Sequence, residues 1–172
     1  MNAIVSLSQP LLSANGLDVN VSRLDFKRLK HKYTESTEAE MSGAEWDVAE
    51  QEYRRFLTIK RFYPSIALVP SKTVDAIWHA HILDTRAYRE DCQQVFGRFI
   101  DHYPYFGIYG QDDYQELKSA FAQTVALYEK HFGEYPGAGS EAQAMRCKDH
   151  ACHVDTKCAC RVEGACKDHV AA

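Results

Sequence analysis

The sequence predicts an all-α protein, with a compact, bundle-like helical domain followed by an irregular Cys/His-rich tail. Three observations carry that expectation. Apolar residues recur at spacings of three and four, from Trp46 through Ala49, Tyr53, Phe56 and Leu57 and again from Tyr114 through Leu117, Phe121, Val125, Tyr128 and Phe132; this is the period of a helix with one buried face. Capping residues and breakers bracket those runs. No stretch reads as a βαβ unit, a glycine-rich phosphate loop or a heptad run long enough for a coiled coil.

A chain of 172 residues is long enough for one domain with a real core. Five of the six cysteines fall between Cys147 and Cys166, and no aromatic residue follows Tyr135. That asymmetry divides the chain into a helical domain over 1–135, a linker over 136–146 and a Cys/His-rich tail over 147–172, hinged at YPGAGS.

Residues 1–21 are open to more than one reading. Ile4, Val5, Leu7, Leu11 and Leu12 could cover part of the core, and Val19 and Val21 could lead into a helix. A first helix is expected from Ser22, as N-cap, to about Tyr33, with Asp25 near its positive end and Leu24 and Leu29 inward. A loop follows over 34–42. Ser42 with Glu45 is a capping-box pattern that starts a second helix, ended by Pro64. Ser71 can cap a third helix to about Ile82, with Val74, Ile77, Trp78 and His81 on one side and Asp75 and His79 on another. Asp84 or Thr85 can cap a fourth, with Tyr88, Cys92 and Val95 inward and Gly97 as its stop. The aromatic stretch 98–113 has no helical period and reads as a compact loop packed by its own rings. A last helix is expected from about Asp112 to His131. The total is four or five helices.

The net charge of −4 gives no reason to expect a nucleic-acid partner. No apolar run approaches the roughly 20 residues that cross a bilayer, so no membrane partner is expected. MNAIVSLSQPLLSANG has no Lys or Arg ahead of its short apolar part, and Pro10 interrupts it. That is not the pattern of a secretory signal, and the expected location is the cytoplasm, where thiols stay reduced.

The densest chemistry in the body is the stretch 70–91. Asp75 and His79 are one helical turn apart, so both can point at one object, and carboxylate and imidazole suit Zn or Fe. His102, in the aromatic loop, is the best third ligand. His81 also belongs to the candidate set, although two positions turn a regular helix by about 200 degrees, so it could join His79 only where the helix ends or bends. Asp84 and Asp91 are reserves. The plainer reading is that Asp75 merely holds the His79 ring and that His81 is a half-buried residue at a helix end. Trp78, Tyr88, Tyr103 and Tyr105 are expected to be packing residues, and Cys92 a small buried hydrophobe. No Ser-His-Asp or Cys-His nucleophile is specified by spacing.

The segment PSIALVPSKTVDAIWHAHILDTRAYREDCQQVFG, followed by Asp101-His102, resembles the glycine-rich-domain-containing-protein-like family. The likeness rests on Val74-Asp75-Ala76-Ile77-Trp78-His79-Ala80-His81, then Tyr88, Asp91-Cys92, Gly97 and Asp101-His102. It implies that Asp75, Trp78, His79, His81 and His102 form a unit, without implying a reaction. Larger plant members carry a glycine-rich portion that this chain lacks, so their proposed roles are not carried over.

In the tail, Cys147-Lys148-Asp149-His150 returns as Cys166-Lys167-Asp168-His169, and Cys152-His153-Val154-Asp155 is echoed by Cys160-Arg161-Val162-Glu163. Counting Cys158, the segment offers five thiols and three imidazoles with almost no apolar material to build a core. Such donors suit Zn or Cu(I). The other readings are a disulfide staple, a precursor peptide altered by a modifying enzyme or other partner protein, and a solvated appendage. The leading expectation is a small soluble metal-binding protein that takes Zn or Cu on Cys147, His150, Cys152, His153, Cys158, Cys160, Cys166 and His169, with a second site on the body. The alternatives are an Fe or Zn enzyme built on Asp75, His79 and His102, with His81 or Tyr103 moving protons, and an interaction module that docks through exposed Tyr103, Phe106 and Tyr109.

Overall fold

The computed structural model describes residues 11–37 and 39–136. Six helices make up this region: α1 Val19–Ser22, α2 Lys27–Thr34, α3 Gly43–Phe62, α4 Lys72–Leu83, α5 Thr85–Phe96 and α6 Gln111–Phe132. Among the described residues there is no strand, only an isolated bridge between Leu12 and Asp18. Among the described residues no helix is long and apolar enough to cross a membrane.

The twenty-residue α3 is the hub. Its capping box is complete: the Ser42 hydroxyl accepts from the Glu45 amide, and Glu45 accepts from the Ser42 amide. Trp46, Ala49, Tyr53, Phe56, Leu57 and Ile59 are buried along it. Helices α1, α2, α4 and α6 pack on α3, and α5 packs on α4 and α1. Val21, Phe26, Ile77, Trp78, Tyr88, Val95 and Tyr128 close the same core. The expected caps of the later helices are present: Ser71 accepts from Val74, Asp84 accepts from Ala87, and Gly97 takes the left-handed conformation that ends α5.

The first helix departs from expectation. Ser22 ends α1 instead of starting a longer helix, and Asp18 is the cap, accepting from Asn20 and Val21. The chain breaks over 23–26 because Leu24 and Phe26 are both buried, and two positions along a helix point to opposite sides. Arg54 makes the break tolerable. Its guanidinium donates to the carbonyls of Val21 and Leu24 at 2.7 and 2.8 Å, supporting the backbone where α1 stops. Of the two readings of residues 1–21, the one in which Leu11 and Leu12 cover part of the core does not hold for them: both are exposed, and Leu17 is buried. Ile4, Val5 and Leu7 lie outside the described residues, as do the tail and all but the first residue of the linker.

The loop between α5 and α6 is only partly packed by its own rings. Tyr103 and Tyr105 meet edge to face at 5.6 Å, yet both are exposed, as is Tyr109. Asp113, in the first turn of α6, gathers the loop by accepting from the amides of Gly107 and Tyr109 at 2.8 and 2.9 Å. Gly107 sits at φ +88, and a Cβ there would lie 2.5 Å from Leu117 Cδ2.

Candidate metal centre

Helix α4 turns Asp75 and His79 to the same side, one turn apart. The chain after α5 brings His102 back to meet them. Ligand atoms of these three residues lie within 4.8 Å of one another, and no other group of His, Cys, Asp and Glu among the described residues does so. His102 Nε2 is 2.9 Å from Asp75 Oδ1, His79 Nε2 is 3.4 Å from Asp75 Oδ2, and the two Nε2 atoms are 3.2 Å apart. Ligands about 2.0–2.2 Å from one ion stand about 2.8–3.6 Å from each other at octahedral to tetrahedral angles. A proton shared within the cluster satisfies it without metal. A cation in the same place would take three lone pairs at once.

Burial grades the three ligands. The side chains of Asp75 and His102 are 9% and 15% exposed, while that of His79 is 34% exposed, so the cluster opens to solvent on the His79 side. Burial lowers the His79 pKa from its ordinary value, Asp75 raises it, and His102 lowers it further. The net effect keeps His79 a neutral imidazole, the form that ligates.

The aromatic residues around the cluster hold it in place. The Trp78 indole meets the His102 ring at 4.8 Å. Trp78 Nε1 donates to the Tyr88 hydroxyl at 2.9 Å, and that hydroxyl donates to the Ile100 carbonyl at 2.6 Å. Trp78 and Tyr88 are buried, as packing residues should be, whereas Tyr103 and Tyr105 are not. Cys92 is buried beside them, and burial pushes its thiol pKa up.

His81 does not join the cluster. It points to the opposite side of α4, 2% exposed, with Nδ1 3.0 Å from the Tyr53 hydroxyl and Nε2 3.0 Å from Asp91 Oδ2. Helix α4 stays regular through Leu83, so the bend that would let His79 and His81 converge is absent. Both reserve ligands are engaged elsewhere, Asp84 as the α5 cap and Asp91 on His81. The candidate tail ligands Cys147, His150, Cys152, His153, Cys158, Cys160, Cys166 and His169 lie outside the described residues. Of the proposed docking aromatics, Tyr103 and Tyr109 are exposed, but Phe106 packs against the cluster of Val69, Leu117 and Phe121.

Two residues near the centre gave no functional signal in the sequence. Lys60 continues the inward stripe of α3 one turn after Phe56, and its ammonium lies 5.6 Å from the centroid of the Trp78 ring. Arg98, exposed on the loop that leads to His102, adds its charge to burial in lowering the Lys60 pKa. A lysine placed on a buried stripe was the available clue.

No curated protein and no solved structure gives a significant match to the chain. The UCP032817-like family model matches residues 18–128, from the cap of α1 into α6, and so takes in Asp75, His79 and His102. This corrects the resemblance drawn from the motif, since nothing in the comparisons shows a glycine-rich-domain-containing family. With well over half of its length matched, the chain belongs to the UCP032817-like family, an uncharacterised one.

Proposed function

We propose that this protein binds a divalent first-row metal ion, Zn or Fe, through Asp75, His79 and His102. The observation that supports this most is the spacing of 2.9, 3.2 and 3.4 Å among a carboxylate and two imidazoles drawn from two separate segments. Two His and one carboxylate with positions left open is a ligand set that iron and zinc enzymes use. The exposure of His79 favours an ion that water or a substrate can reach, and with it a reactive rather than purely structural site. The Cys/His tail remains a candidate for soft ions by its donor chemistry alone.

A second reading treats the same three groups as a proton-sharing cluster. It is favoured by the hydrogen bond that His102 Nε2–H can donate to Asp75, whose carboxylate only accepts.

The test is metal analysis by inductively coupled plasma mass spectrometry after reconstitution with Zn, Fe(II) or Cu(I). Full-length protein is compared with H79A, H102A and a variant whose five tail cysteines are replaced by serine. One equivalent that survives the serine changes and disappears in H79A and H102A supports the body site. Metal that disappears only with the tail thiols moves the function to the tail. No metal in any form leaves the proton-sharing reading.

A further inference from the structure

A cavity of about 150 Å³ lies where α3, the first turn of α4 and α6 meet, outside the metal centre. Its walls are apolar, with Phe56 and Ile59 from α3, Val74 from α4 and the Tyr128 ring from α6, all of them buried. Two further lining residues, Val48 and Thr73, are exposed and mark its mouth. Helices packed side by side normally fill such a space with their own side chains. A concave apolar space between the helices of a bundle that holds a few polar groups is the common form of a small-ligand site. Its size limits the guest. An apolar cavity of this volume takes one benzene-sized molecule, and nothing as large as a nucleotide or a fatty acid.

The polar groups on the wall narrow the guest further. The Thr124 hydroxyl is spent, accepting from the Val69 amide and donating to the Ala120 carbonyl, both at 3.0 Å. Ser71 is engaged as the α4 cap, accepting from the Val74 amide. Glu52 has capacity to spare. Its side chain is 14% exposed, and its Oε1 accepts from the Arg55 guanidinium at 2.9 Å. Arg55 also donates to the Tyr128 hydroxyl at 2.6 Å. Burial, and then hydrogen bonding and charge from Glu52, push the Tyr128 pKa up, so Tyr128 stays a neutral phenol. A carboxylate accepts about four hydrogen bonds, so Glu52 can take another donor. Its charge is already matched by Arg55, and a cationic guest would bury a charge with no partner left for it. The donor that fits is therefore a neutral one.

We propose that this cavity binds a small six-membered-ring compound carrying one hydroxyl, a phenol or its cyclic-alcohol counterpart. The ring packs among Phe56, Ile59 and Val74, and the hydroxyl donates to Glu52. The site stands independently of the metal reading, and no covalent step is implied.

The experiment is an NMR titration of the full-length chain with phenol, benzene and benzylamine as probes. The signals followed are the Val74 methyls, on the cavity wall, and the Trp78 indole, which packs on Phe56 at 5.4 Å. Phenol is expected to give saturable shifts of both. Benzene lacks the hydroxyl and should bind about threefold to tenfold more weakly, the loss of one hydrogen bond. Benzylamine, cationic at neutral pH, should bind no better than benzene. E52M removes the acceptor and should bring phenol down to the affinity of benzene. V74F fills the space and should abolish saturation, and V48W, at a 64% exposed position on the rim, should weaken binding of all probes by covering the mouth. Thermal melts identify any variant that fails to fold, and V48W leaves the core as it is. Phenol shifts that do not saturate, equal affinities for phenol and benzene, or a preference for benzylamine overturn the proposal. So does phenol binding that the folded variants leave unchanged.

Discussion

The Tyr88 hydroxyl donates to the Ile100 carbonyl across 2.6 Å. That bond ties the backbone two residues ahead of His102 to α5, while the same oxygen accepts from Trp78 on α4. One phenol thus sets how far the loop-borne imidazole stands from the helix-borne carboxylate. Y88F should lower metal affinity about tenfold or more, in the range typical of residues that orient ligands. It should also destabilise the fold by about 1–3 kcal/mol, since the buried Trp78 N–H loses its acceptor. Chelator competition and urea melts of the same sample check both effects.

Acid should weaken the body through His79. Its folded pKa lies below the ordinary 6.5, chiefly because of burial, so the unfolded chain takes up the proton first. Stability from this group is complete above pH 6.5 and is lost as the pH falls from there towards the lower folded value. Thermal melts between pH 5 and 8 should show this slope reduced in H79Q. A residual slope is expected from His131, which burial and Lys130 also lower. Zinc binding should persist further into acid than at an exposed histidine pair, as a zinc titration across the same range would reveal.

The two α4 histidines should fail differently. H81A empties a 2% exposed site and strands the Tyr53 hydroxyl, so it should cost roughly 3 kcal/mol in a urea melt while leaving the metal stoichiometry intact. H79A should do the reverse, losing the metal while changing stability by no more than about 1 kcal/mol.

G107A tests the loop. A methyl group there meets Leu117 Cδ2 at 2.5 Å while the backbone keeps φ +88. Destabilisation of about 2 kcal/mol or more is expected, together with weaker protection of the Tyr109 amide in hydrogen exchange.

Local chemistry made much of this legible in advance. Ser42 and Glu45 specify the start of α3 within four residues, and the one-turn spacing of Asp75 and His79 directs both to one side of α4. His102 was reachable because the loop offered an imidazole where a third ligand was wanted. The break at 23–26 was not legible, because it depends on Arg54 reaching carbonyls 30 and 33 residues away. Tyr103 and Tyr105 read as core by residue type, yet their loop turns them to water.

Helix α4 carries its two histidines two positions apart, one on the solvent-open face and one locked among Tyr53, Tyr88 and Asp91. Inserting or deleting a single residue between Asp75 and His81 would rotate everything beyond it by about 100 degrees. The inner ring would swing off its hydroxyl, and the outer ring off its carboxylate. This stretch therefore tolerates no change of length. Among relatives, gaps should collect in the loop at 34–42 and spare both the stretch from Asp75 to His81 and the connection from Gly97 to His102.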